Sequence, residues 1–260
     1  MLANGVGLRA EGVDGVVALA PSLPPVHVDP TAFDGALDRL RQLPVATRDL
    51  PAALVEVAAA LPAVFDVDGA GLLLLDEEQA LRCVCATDPL TDALEATQEA
   101  TGRGPCVDAF VDGTVVTVDD TGVDERWQGL CRRLAAAGIG AILGMPVTIG
   151  GAAVGSLNVY TKRPHAWDES DVTSIAAFAE LVDGLLAAAV AGEAQGRLAE
   201  QLQHALDVRL VVERAVGVVM GLRQISATEA FAALRAEARR TRRPLRELAE
   251  EIAEELRLPF

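Results

Sequence analysis

The stretch "GAILGMPVTIGGAAVGSLNVYTKRP" (140–164) holds two apolar runs separated by a pair of glycines. Adjacent glycines take the positive-φ conformations that reverse a chain within two residues, so the two runs predict a hairpin and commit this part of the chain to an antiparallel sheet. A second hairpin is predicted where "GAGLLLLDEE" (69–78) and "ALRCVCATD" (80–88) flank an acidic turn, and "GTVVTVDD" (113–120) reads as a further strand. Helical periodicity fills the spaces between: 50–65 with Pro51 suited to a first turn, 89–101, 124–138 stopped by Gly138, and 168–190. The order helix, two strands, helix, strand, helix, hairpin, helix predicts an α+β domain, a mostly antiparallel sheet flanked by helices. Hydrophobic residues make up 51% of the chain and aromatic residues 3%, so its core must be built from Ala, Val and Leu.

Beyond "AGEAQG" (191–196) the texture becomes wholly helical. Leu198, Leu202, Ala205, Val212, Val216 and Val219 recur at alternating spacings of three and four, with Arg209 filling the gap, which predicts a parallel coiled-coil dimer seam with one polar break. "SATE" (226–229) is a capping box, in which Ser226 caps the next helix while Glu229 reaches back. That helix should bury Ala230, Phe231, Leu234 and Ala238; a last one from about Pro244 should bury Leu245, Leu248, Ala249, Ile252, Ala253 and Leu256. Gly192 and Gly196 predict a deformable joint between the two parts.

Charge divides in the same way. The whole chain carries −16, yet five arginines lie between Arg239 and Arg246. Residues 197–260 hold 11 basic and 10 acidic residues; since the chain has 22 and 38 in all, residues 1–196 hold 11 and 28, about −17 against +1. The acidic front should repel nucleic acid and anionic membrane, and the asymmetry suggests modules with different partners. "GLLAAAVAG" (184–192) is too short an apolar run to span a bilayer, and no basic segment precedes an apolar one at the start, so the expected location is cytoplasmic.

"GRGPCVDAFVDGTVVTVDD", "DERW" and "MPVTIGGAAVGSLNVYTKRPHAWDESD" together resemble the GAF sensory domain over about 45–190. The resemblance implies a five- or six-stranded antiparallel sheet with a small-molecule pocket on one face and a helical dimer interface on the other. "LQHALDVRLVVERAVGVVMGLRQISATEAFAALRAEARRTRRPLRELAEEIAEEL" resembles the ANTAR domain over 202–256, with Arg209, Glu213, Gly217, Met220, Ala230, Phe231, Leu234 and Ala249 at family positions. It implies a three-helix RNA-binding module that holds paired RNA hairpins in transcription antitermination. One departure stands out: Val216 occupies the place of a lysine the family directs at RNA. The organisation expected is a mostly disordered leader with one short helix (1–43), the sensory domain (44–190), a linker and coiled-coil start (191–201), and the RNA-binding domain (202–260).

The arginine cluster allows two readings. One is a solvated face whose cations favour a helix C-terminus. The other is an RNA site, because forked guanidinium donors suit phosphates and their flat faces stack on unpaired bases. With the ANTAR resemblance the RNA reading leads, and Arg209, Arg214, Arg235, Arg239, Arg242, Arg243 and Arg246 form the expected RNA-binding set. Cys83, Cys85, Cys106 and Cys131 lack disulfide or metal-site spacing and read as core thiols, with a redox role for Cys106 the minority reading. His27, His165 and His204 are not grouped as a metal site, "GVVMG" (217–221) spaces glycines as in close helix packing, and "TGRGP" (101–105) reads as a turn. No catalytic set and no cofactor motif occurs. The sequence therefore predicts a non-enzymatic, homodimeric regulator that answers an unidentified small-molecule or redox signal and binds RNA. The alternative is a signalling adaptor whose helical tail docks a protein partner.

Overall fold

The computed structural model describes residues 30–41, 50–193 and 197–255. Most of the expected leader, Gly196 and Leu256 lie outside them. The sensory half begins with helices α1 (Pro30–Arg41) and α2 (Leu50–Val64) and the hairpin β1 (Gly69–Leu75) and β2 (Leu81–Ala86). Helices α3 (Pro89–Thr101) and α4 (Pro105–Asp112), strand β3 (Val116–Val118) and helix α5 (Gln128–Ala137) follow, then the second hairpin, β4 (Ala141–Ile149) and β5 (Ala152–Thr161), and α6 (Glu169–Ala188). The five strands form one antiparallel sheet in the order β2-β1-β5-β4-β3.

Local chemistry explains the boundaries. Asp88 caps α3 by accepting from the amides of Leu90 and Thr91, with a proline in the first turn. Asp168 and Asp171 form a capping box at α6, and the Asp171 carboxylate also meets the buried His165 ring at 2.7 Å. Helix α4, whose eight residues lie between Gly104 and the left-handed Gly113, is not legible in the sequence. It is too short for a period to register.

Alternation along the strands divides two cores. Leu72, Leu74, Leu143, Met145, Val147, Leu157 and Val159 face α1, α2 and α6, where Phe65 packs edge-on to Phe33 and Phe178, which tilt against each other. Leu73, Leu75, Ile142 and Tyr160 face α3, α4 and α5. In β5 the register against β4 shifts between Val147 and Thr148, leaving Val154 as the extra residue and turning Ala153 toward the second core. Helix α6 is long and apolar enough by composition to resemble a membrane span, whereas only a short run was legible in the sequence; here its Ile175, Phe178, Val182 and Leu186 are buried on the sheet.

The tail forms α7 (Arg197–Arg223), α8 (Ala227–Thr241) and α9 (Leu245–Glu255), with the Ser226–Glu229 capping box formed. A π turn (Ala189–Glu193) containing left-handed Gly192 breaks the helix after α6. The three tail helices do not stand apart. They complete the second core, with Phe231 of α8 edge-on to Phe110 of α4 at 5.8 Å between ring centres.

This packing corrects the seam. Leu202, Ala205, Val212 and Val219 are buried in the chain's own core, and Leu198 and Val216 are partly buried against it, so the stripe is covered from within the protomer. The periodicity identified the buried side of α7 but not what covers it. Gly217 and Gly221 have open space where a side chain would stand, so among the described residues no other helix packs closely there.

Candidate nucleic-acid interface and a buried polar centre

Five of the seven arginines in the expected RNA-binding set come together. Arg235 and Arg239 on α8, Arg242 and Arg243 in the turn, and Arg246 on α9 line one cleft of about 760 Å³. Arg242 ends α8 in the left-handed conformation (φ 54°), where glycine is the usual occupant. A non-glycine residue there carries a backbone cost of about 1 kcal/mol or more. Arg243 pairs with Glu251 at 2.6 Å, and Arg246 with Glu250 at 2.8 Å. Arg235, Arg239 and Arg242 have no carboxylate within ion-pair distance among the described residues. Burial pushes the Arg235 guanidinium's pKa down, and the charge of Arg239 adds to the effect.

The other two arginines lie elsewhere. Arg214 is exposed on α7 and does not line the cleft. Arg209 is a correction: it is 5% exposed, its guanidinium lies 4.3 Å from the centre of the Phe110 ring, and it is tied to Glu213 at 2.7 Å. It clasps the tail to α4 and offers nothing to a ligand at the surface. Its pKa is pushed down by burial, with Glu213 opposing.

The opposite wall of the cleft belongs to the sensory half: Glu77, Glu78 and Gln79 in the β1–β2 turn, Arg82 on β2 and Glu99 on α3. The turn is tightly built. Asp76 accepts from the amides of Glu78 and Ala80 with one carboxylate oxygen and from Arg82 Nε with the other. Gln79, left-handed at φ 58° and buried, donates from Nε2 to the Ala205 carbonyl of α7 at 2.9 Å.

A second feature lies inside the sensory half, between α3 and the sheet. Glu95 is fully buried and accepts from Asn158 Nδ2 at 2.8 Å, while the Asn158 Oδ1 and Ser156 Oγ atoms have no protein partner. Gln98 accepts from the Cys106 amide at 2.9 Å, and its Nε2 lies 2.8 Å from the Cys106 sulfur. Gly71 leaves room for this group, since a side chain there would collide with Glu95 and Thr91. Burial pushes the Glu95 carboxyl up to about 8, against the Asn158 hydrogen bond, so it is largely neutral at pH 7. Burial likewise pushes Cys83 up to about 12, Cys85 and Cys131 up to about 11, and Cys106 well above the usual thiol range. All four are free thiols in environments that disfavour the reactive thiolate. Among the described residues no group of His, Cys, Asp and Glu could hold a metal ion.

Sequence reasoning missed Glu95, Gln98 and Asn158. A signal was present: Thr91, Glu95 and Gln98 recur on the face that α3 must bury, and Asn158 interrupts an apolar strand.

Comparison with known proteins matches residues 49–184 to the GAF domain and residues 200–252 to the ANTAR domain. No curated protein matches the chain. Among solved structures, the GAF domain of a phosphoenolpyruvate-protein phosphotransferase from Coxiella burnetii is 18% identical, covering 64% of this chain and 98% of its own, with a TM-score of 0.51. Free methionine-R-sulfoxide reductase from Neisseria meningitidis is 20% identical, covering 63% and 94%, with a TM-score of 0.48. At these identities the likeness concerns the fold.

Proposed function

This chain belongs to the GAF family and carries an ANTAR domain behind it, and from that premise we propose that it is an antiterminator that binds paired RNA hairpins as a dimer under control of its sensory domain. The coarse assignment, a sensor joined to an RNA-binding regulatory module, follows from the two domains. The finer reading rests on one observation. Arg235, Arg239 and Arg242 converge on one cleft without carboxylate partners among the described residues, and Arg242 does so at a conformational cost. Cations held unpaired at a helix corner suit phosphates and unpaired bases. The reading has the protein cytoplasmic and non-catalytic, its signal a small molecule or redox change received by the sensory domain.

Because the chain's own core takes the stripe of α7, the surface offered to a second copy is the outward side of that helix. Leu210 is 57% exposed there, in line with Gly217 and Gly221, which leave room for close approach. The same apolar face favours the rival reading, an adaptor that docks a protein instead of RNA. A salt titration separates them. Each neutralised phosphate contributes about −0.7 to the log–log slope for single strands, so three contacts per subunit in a dimer give roughly −4. Arg239→Gln with Arg242→Gln should flatten that slope and weaken binding to a labelled RNA carrying two stem-loops, with helix content unchanged. Binding by the double variant that is as tight and as salt-sensitive as wild type overturns this site. No binding by the wild type overturns the RNA reading.

A further inference from the structure

We propose that the acidic β1–β2 turn is a built-in competitor for RNA, a latch whose Glu77 and Glu78 stand opposite the arginine corner and hold its field until the sensory domain withdraws them. The inference rests on the RNA reading above and concerns the regulation of that same site.

Two walls of opposite sign face each other across the cleft, one from each domain. The acidic wall is shaped for this position. Asp76 spends both carboxylate oxygens inside the turn, which leaves Glu77 and Glu78 as exposed charges at a fixed tip. Gln79 fastens that tip to α7 through the Ala205 carbonyl, and its Oε1 is buried without a protein partner. Of the three non-glycine residues with positive φ among those described, Gln79 and Arg242 line this one cleft, one on each wall. Strained backbone persists where surrounding structure imposes it, and it clusters at switch regions.

The electrostatic part of the contact is of a kind that can be released, while withdrawing the turn also breaks the Gln79–Ala205 hydrogen bond. Neither Glu77 nor Glu78 makes an ion pair with Arg235, Arg239 or Arg242. The attraction therefore acts through the cleft as a field, which salt screens and which a denser polyanion displaces. The turn is also coupled to the sensory interior. The Cys83 amide of β2 donates to Glu99, one helical turn along α3 from Glu95, and Arg82 lies 3.9 Å from the same Glu99 carboxylate. A shift of α3 over the polar centre carries the turn with it.

The test uses the full chain and a fluorescein-labelled RNA of two stem-loops joined by a short single strand. Wild type is compared with Glu77→Gln/Glu78→Gln, whose substitutions lie on exposed positions, and with Asp34→Asn/Asp38→Asn, which removes the same charge from exposed positions on α1. The turn variant should bind about tenfold tighter at low salt, the lower end of what a local field does to charged encounters. The gap should close as salt rises beyond about 0.15 M, where the screening length falls below about 8 Å. The α1 variant should match wild type. Equal affinities for the turn variant and wild type overturn the latch and leave the RNA reading standing. An equal gain in the α1 variant also overturns the latch, assigning the effect to net charge. If none of the three chains binds the RNA, both readings fall together.

Discussion

The buried carboxylate of Glu95 makes stability a function of pH in a way one substitution can remove. Its pKa rises from 4.5 in the unfolded chain to about 8 in the fold, with burial the leading cause. The folded state therefore binds the proton more tightly, and stability falls as pH rises from about 4.5 through 8. The interval is 8 − 4.5, or 3.5 units, and at 1.36 kcal/mol per unit this gives of order 5 kcal/mol lost by Glu95 between pH 4.5 and 8.5. Glu95→Gln keeps an acceptor for Asn158 Nδ2 and abolishes the titration. Other groups, including Asp108, which burial pushes up to about 6, titrate alike in both proteins and cancel in the difference. The variant should gain on wild type steadily between pH 5 and 8.5, by about 10 °C or more in Tm at the alkaline end, at about 2–4 °C per kcal/mol for a chain of this size. Urea unfolding at matched ionic strength across that range reads the difference directly. Parallel pH profiles for the two proteins refute a buried, neutral Glu95.

Two further substitutions separate structural arginines from those facing the cleft. Arg209→Met should cost about 1–2 kcal/mol of stability through the lost contact with Phe110 while leaving the salt slope of RNA binding unchanged; a flattened slope would return Arg209 to the interface. Arg242→Gly should relieve the left-handed backbone and stabilise the chain by about 1 kcal/mol in thermal unfolding while weakening RNA binding, and a variant that loses stability would show that the conformation carries no strain.

The elements were legible where local chemistry decides them. The Gly150–Gly151 turn and the Ser226–Glu229 box each fix a boundary by satisfying or freeing particular backbone groups, and each is formed. Periodicity located the buried side of α7 but is silent on the surface that covers it, so a stripe packed within the protomer read as a seam between protomers. Arg209 misled for a related reason. A cation between apolar neighbours reads as a polar break in a seam or as a contact for RNA unless an aromatic ring is known to lie beneath it, and Phe110 is 99 residues away in the chain. The cleft itself needed tertiary information, because its two walls come from segments far apart in sequence. The arginine corner was visible as a cluster, whereas the acidic turn opposite it looked like any solvated hairpin tip.

Helix α7 gives its Leu202 to the core beneath α6 and its Ala205, Val208, Val212 and Val219 to the core on the other side of the sheet. A boundary drawn near residue 200 thus separates two sequence families but cuts through shared packing. Heating should give one melting transition where beads on a string would give two. A protease nick between α6 and α7 should leave the fragments associated, since the covalent link is only one of several ties. The tail expressed by itself would meet water with the stripe that the sensory half now covers, and should be sticky, short-lived and prone to pair with itself. In this chain the sensor is also part of the solvent-excluding envelope of the module it governs.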